Sequence, residues 1–225
     1  MRTNSISNRL AEINFHNQYA SGKRDFYQTK LDNINLSNKT LTELDLRESK
    51  FDYSTLDNVS LSCSDLSESS LINLNFKKAA IDNVMFNRAD LTNSKLSLSK
   101  IADTSFFGAC LYKASFCGAT ISNIDFSFAN LSAAYLKELD LSNSMFEGAI
   151  YNSSTLFPVG FDPIEAGMMH ESNMLDIDKI ISQFDNLYQR SKSLLGDTIT
   201  TKYFNSSRSD HDWLNTDCLT HLFKS

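Results

Sequence analysis

A period of five governs this chain. Stepping by five from Phe26, every position through Phe146 is Leu, Phe or Ile, a run of 25 that opens Phe26, Leu31, Leu36 and closes Leu136, Leu141, Phe146. An α-helix returns its buried face every 3.6 residues and a strand every 2, so neither sustains a spacing of five. Self-similarity at a fixed period is the sequence signature of a solenoid, in which each repeat buries its apolar side against its neighbours.

Two further columns support that reading. Two residues before each large side chain stands a small or aliphatic one, as at Ser64, Ser69, Leu74, Ala79, Val84, Ala89 and Ala109, with Lys39 the clear exception. Two residues after it, Asn recurs at 33, 38, 58, 73, 83, 93, 123 and 143 and Gly at 108, 118 and 148. Asn and Gly tolerate the positive φ of a tight corner. Each pentapeptide therefore reads as a short extended side with two inward residues, followed by a turn. If four such sides close a coil of 20 residues, the large column divides into stacks. One is mostly aromatic, ending Phe86, Phe106, Phe126 and Phe146; another, from Leu41 to Leu141, is wholly aliphatic.

The segments "ADLTN" at 89–93, "ANLSA" at 129–133 and "GACLYKASFCGA" at 108–119 resemble the pentapeptide-repeat family, written A-(D/N)-L-x-x. The entry "YASGKRDF" at 19–26 and the exit "LFPVGFDPIEAGM" at 156–168 resemble its cyanobacterial, HetL-like members. The resemblance implies an all-β solenoid, a right-handed quadrilateral β-helix, with α-helical caps at both ends. Six coils at roughly 4.8 Å each make a rod about 30 Å long. The expected organisation is a capping helix and entry over 1–25, the β-helix over 26–150, an exit loop over 151–175 and a helix and tail over 176–225.

The caps read as follows. Over 5–21, Ile6, Leu10 and Ile13 share one helical face ahead of Gly22, so this face is expected to cover the first coil. Over 176–196, Ile177, Ile180, Ile181, Phe184, Leu187, Tyr188, Leu194 and Leu195 give the clearest helical face in the chain. It serves either as a second cap or as a surface for a partner or for self-association. The last stretch holds Tyr203, Phe204, Trp213, Leu214, Leu219, Leu222 and Phe223, and either folds back or is a recognition segment.

Charge narrows the function classes. The formal net charge is −6. Between residues 26 and 148 there are 11 Lys and Arg against 15 Asp and Glu, a difference of −4. No basic stripe suited to a phosphate backbone is apparent, and no run of 18 apolar residues marks a membrane span, so the expected partner is another protein, without nucleic acid or membrane, in the cytoplasm. Cys63, Cys110 and Cys117 fall on outward columns, which suits free thiols in a reducing compartment.

Motifs of catalysis are missing: the sequence has no phosphate-binding glycine loop, no H-E-x-x-H, no G-x-S-x-G and no C-x-x-C. The Asp25, Asp45 and Asp65 column reads as a hydrogen-bonded ladder. Near Asp210 and Asp212, His211, Cys218 and His221 have a spacing some zinc sites use, but no fourth ligand is fixed. No enzyme activity, cofactor or metal is expected.

What remains is the outside of the tube. Met85, Phe107, Phe128 and Met145 fall on outward columns of the side that carries the inward Phe86, Phe106, Phe126 and Phe146, with Ile72 and Tyr112 on the next side. A cluster of exposed apolar groups marks a contact site, and these six residues are the candidate binding face. The family resemblance implies a regulatory interaction module, as for the HetL-like members in cell differentiation. The alternative it implies is a DNA mimic that binds a type II topoisomerase, a use that relies on a strongly acidic rod.

Overall fold

A computed structural model of the protein describes residues 2–173. The 176–196 helix, the tail after it and the His211, Cys218 and His221 group lie outside the described residues. The elements are α1 (Arg2–Ala20), β1 (Thr40–Thr42), β2 (Ser60–Asp65), β3 (Ala80–Met85), β4 (Lys100–Ser105), β5 (Thr120–Asp125), β6 (Ser144–Met145), β7 (Ile150–Tyr151) and β8 (Met169–His170). β1 to β6 form one parallel sheet in sequence order, and β7 pairs with β8.

Through Ile150 the rungs share one arithmetic. Leu41 pairs with Leu61, Leu61 with Ile81, Ile81 with Ile101 and Ile101 with Ile121, each one coil of 20 residues apart. Single bridges at Asp25–Asp45, Lys30–Lys50 and Asn35–Thr55 repeat that register on the other sides. The result is a right-handed β-solenoid of about 7 turns. Its four sides are named here from one coil: 79–83 first, 84–88 second, 89–93 third and 94–98 fourth, with residues 20 apart on the same side.

The core is the two inward columns. Phe76, Phe86, Phe106, Phe116 and Phe126 are wholly buried, and the small column is buried with them, from Ser49 and Ser54 to Ala129 and Ala134. Phe86 stacks on Phe106 at 5.0 Å, Phe106 on Phe126 at 5.4 Å and Phe126 on Phe146 at 5.3 Å between ring centroids. Several serines of this column use their buried hydroxyls: Ser54 accepts the Ile34 N–H and donates to the Leu31 carbonyl, and Ser64 accepts the Leu44 N–H, whereas the hydroxyls of Ser94 and Ser144 have no hydrogen-bond partner among the described residues.

At the corners the backbone is left-handed at every fifth residue from Gln28 to Ala133, whichever side chain stands there, Tyr53, Leu98 and Phe128 included. This conformation costs a non-glycine residue about 1–2 kcal/mol. It persists because each corner N–H then reaches the next coil, as Gln28 to the Arg47 carbonyl and Phe128 to the Glu147 carbonyl. Asn143, expected as such a corner, is not one among the described residues. Near it the Glu138 carboxylate accepts the Gly118 N–H at 2.9 Å, and after Ile150, which still pairs with Asn130, the register slips, Tyr135 pairing with Leu156, 21 residues on. Beyond residue 150 pairing continues, so the segment read as an exit loop contributes the rungs at Leu156 and Met169. Phe161 packs its ring on Phe146 at 5.2 Å over the last coil.

The N-terminal helix forms, but it turns the other way round. Ile6 is 63%, Leu10 61% and Ile13 49% exposed, whereas Phe15 is buried and touches the Phe26 ring at 4.6 Å. The reason is the open edge of the first coil, whose N–H groups need acceptors. Glu12 accepts the Asn35 N–H and the Tyr19 hydroxyl accepts the Thr42 N–H, and these two residues lie on the Phe15 side of the helix. Arg24 holds Tyr19 in place, with its guanidinium 4.2 Å over the ring.

Cys110 also departs from expectation. It stands on an outward column yet is buried, with the Thr92 hydroxyl 3.4 Å from its sulfur; Cys63 and Cys117 are exposed.

Candidate functional site

The second side of the tube has two halves of different chemistry. Its N-terminal half is a charged lattice. Asp45 and Arg47 pair at 2.6 Å, with Asp65 3.9 Å from the same guanidinium. Tyr27 donates its hydroxyl to Glu48 at 2.7 Å, Gln28 donates to the other Glu48 oxygen at 2.8 Å, and Arg88 lies 3.9 Å from Glu68. The stacked carboxylates also serve the backbone, since Asp25, Asp45 and Asp65 each accept the N–H two residues on. The hydrogen bond from Arg47, with its charge, holds Asp45 below the usual carboxylate range, while the hydrogen bond to Glu48 raises the Tyr27 hydroxyl.

The C-terminal half exposes a cluster of apolar side chains, with Asp125 and Glu147 among them. Phe107 and Phe128 meet edge to face at 5.3 Å and are 37% and 53% exposed, with Met145 56% exposed one coil further. Met85, 44% exposed, borders the charged half. Phe128 can lie flat because the next corner is Gly148: a Cβ built there would stand 2.6 Å from the Phe128 ring. Ile72 and Tyr112, on the third side, are half-buried. Geometry thus brings Phe107 and Phe128 into contact, sets Met145 and Met85 on the same side, and leaves Ile72 and Tyr112 around the corner.

The apolar half runs into a cleft of about 760 Å³ between the last coil and residues 158–166, lined by Met145, Phe146, Phe161 and Val159. Val159 is fully exposed and Ile164 is 74% exposed. The repeat flags neither, because both lie after the five-residue period stops; the Pro158 and Pro163 beside them are the only signal. No group of three His, Cys, Asp or Glu side chains among the described residues is placed to hold a metal ion. No helix among them is long and apolar enough to cross a membrane.

The repeat matches a described family. The family model for pentapeptide repeats matches residues 60–97, 86–123 and 124–150, with 8 copies. These residues are pentapeptide repeats. No curated protein matches the chain. Among solved structures, the chain is similar to HetL, a pentapeptide-repeat protein involved in heterocyst differentiation regulation from the cyanobacterium Nostoc sp. strain PCC 7120, at 26% identity over 61% of this chain, with a TM-score of 0.38. It spans 65% of the length of HetL. It is also similar to QnrB1, a plasmid-mediated fluoroquinolone resistance protein, at 18% identity over 70% of this chain and 91% of that one, with a TM-score of 0.34. A third is the pentapeptide-repeat protein Rfr23 of the cyanobacterium Cyanothece, at 19% identity over 64% and 99% of the two chains, with a TM-score of 0.22. In the pentapeptide-repeat tube, outward residues one coil apart stand at a fixed spacing of 20 in sequence.

Proposed function

We propose that the protein is a non-catalytic scaffold that binds another protein through the second side of its tube, in a regulatory role. The observation that carries this reading is the Phe107–Phe128 pair, exposed on a flat face and continued by Met145, with the charged lattice of Asp45, Arg47, Glu48 and Glu68 on one flank. An apolar centre with a polar surround is the usual anatomy of a protein contact. The rigid backbone means that little order is lost on association.

The test replaces Phe107 and Phe128 by Asp, which the left-handed corner at 128 accepts readily. Capture of proteins from a lysate of the source organism is compared for the native chain and the double variant. Loss of one captured protein with an unchanged melting temperature supports the reading; identical capture by both removes it. The topoisomerase alternative draws less support, because exposed lysines interrupt the acidic surface at Lys77, Lys78, Lys95 and Lys100.

A further inference from the structure

Half a coil away from the apolar pair, the tube carries the opposite charge. On the second side, from 24–28 through 144–148, seven carboxylates (Asp25, Asp45, Glu48, Asp65, Glu68, Asp125 and Glu147) face three arginines (Arg24, Arg47 and Arg88), a net of −4. On the fourth side, from 34–38 through 134–138, Lys77, Lys78, Lys95 and Lys137 face Asp57 and Glu138, a net of +2. Lys100 adds to it from just around the corner. In a chain of net charge −6 this is a concentrated reversal of sign.

The centre of the reversal is well defined. Leu98 is 49% exposed at a corner, and its methyl lies 2.8 Å from where a Cβ at Gly118 would be, so it is folded flat against the next coil. The register surrounds it with lysines. Lys78 occupies the same column one coil before, and its N–H bonds the Ser97 carbonyl; Lys77 sits beside it; Lys95 is three residues back and Lys100 two residues on. All four lysines are exposed, and none takes part in an ion pair among the described residues. Carboxylates border the ring: Asp57 stands directly below Lys77 in its column, Asp82 and Asp103 lie on the first side with Lys100, Asp103 accepting from Asn123, and Glu138, two coils above Leu98 in the same column, is engaged by the Gly118 N–H.

We propose that the fourth side is a second docking surface, which takes an acidic peptide segment bearing one large apolar residue, its carboxylates on Lys77, Lys78, Lys95 and Lys100 and its apolar side chain on Leu98. Charge complementarity selects the class of partner. A single-stranded nucleic acid needs aromatic platforms for its bases, and the outward positions next to Leu98, with Lys77, Lys78, Lys95, Ser97, Lys100, Cys117 and Gly118, hold no aromatic ring. A bilayer surface needs a broader apolar face than one leucine. The proposal does not depend on the second side, so the two can fail separately.

The experiment measures fluorescence anisotropy of a dye-labelled synthetic peptide in which Glu and Asp residues flank a single Leu, titrated with the full chain. Replacing Lys77, Lys78, Lys95 and Lys100 together by Gln is expected to weaken binding about tenfold or more, and raising the salt concentration is expected to do the same. Leu98→Asn, which suits the left-handed corner, is expected to weaken it about fivefold. Lys30→Gln with Lys50→Gln, on the third side, is expected to leave it unchanged. Should the fourfold variant melt early, Lys78→Gln with Lys95→Gln carries the comparison. Equal weakening by the third-side variant, or none by the fourth-side variant, overturns the proposal. So does tighter lysine-dependent binding of an oligo-dT strand or of anionic vesicles, or salt-sensitive self-association that the fourfold variant abolishes, which would make the occupant a second copy.

Discussion

The ring of Phe128 lies over Gly148, one coil on, where a Cβ would approach its Cε1 to 2.6 Å. Gly148 itself has a φ of +66°, so two penalties meet when a side chain is added there. Gly148→Ala is expected to destabilise the tube by about 1–2 kcal/mol from the backbone alone, and by more while Phe128 is present. In a Phe128→Asn background the excess should vanish. Thermal melting of the four proteins in this cycle checks it; an equal cost in both backgrounds would show that the ring moves aside freely.

The inward aromatic stack gives a second expectation. Phe106 lies between Phe86 at 5.0 Å and Phe126 at 5.4 Å and is wholly buried. Phe106→Ala is expected to cost about 3–5 kcal/mol. Urea unfolding of the variant should show that loss in its midpoint, with Phe107→Ala, partly outside the tube, costing far less.

The charged lattice predicts a pH dependence with a definite sign. Asp45 has a folded-state pKa lowered chiefly by its hydrogen bond from Arg47, so its contribution is present above the ordinary carboxylate pKa of about 4 and is lost as pH falls below it. Glu48, lowered by hydrogen bonds from Gln28 and Tyr27, behaves in the same direction. Tyr27 is raised by its hydrogen bond to Glu48, so its contribution is present below the ordinary tyrosine pKa of about 10 and is lost as pH rises through the raised value. The difference in melting temperature between the native chain and Tyr27→Phe should be constant near neutrality and shrink at both extremes.

At the N-terminal cap, the Thr42 N–H donates to the Tyr19 hydroxyl at 3.1 Å. Tyr19→Phe removes the acceptor and leaves the ring under Arg24 in place. Amide hydrogen exchange at Thr42 is expected to accelerate, with about 1 kcal/mol lost from the cap. Unchanged exchange at Thr42 would mean that this edge is protected by something other than the tyrosine.

How far the sequence carries these conclusions depends on the kind of constraint. The inward columns are legible because close packing in a narrow tube admits few side chains, and large residues such as Phe86 or small ones such as Ala109 must recur at a fixed step. The corners are only half legible: Asn and Gly mark some, but Glu43, Tyr53, Lys78 and Phe128 adopt the same left-handed backbone, imposed by the coil-to-coil hydrogen bonds. The helix face departs from expectation for a physical reason. Ile6, Leu10 and Ile13 are the more apolar set, but the tube's open edge demands Glu12 and Tyr19, and Phe15 goes with them. Of the candidate contact residues, the step of five locates the side that Met85, Phe107, Phe128 and Met145 occupy. The cleft beside Val159 is invisible to it, because no periodicity reaches that far.

Through Ile150 the register is constant, and that bears on how such a chain can change. Because neighbours on the surface differ by 20 in sequence, adding or removing one whole coil translates everything beyond it along the axis without rotating it. Phe107 and Lys95 would stay on their sides while their distance from the helical cap changed by a single step of about 4.8 Å. Length and facing are thus independent variables in this architecture, and the chain is in effect a ruler whose markings can be moved one graduation at a time.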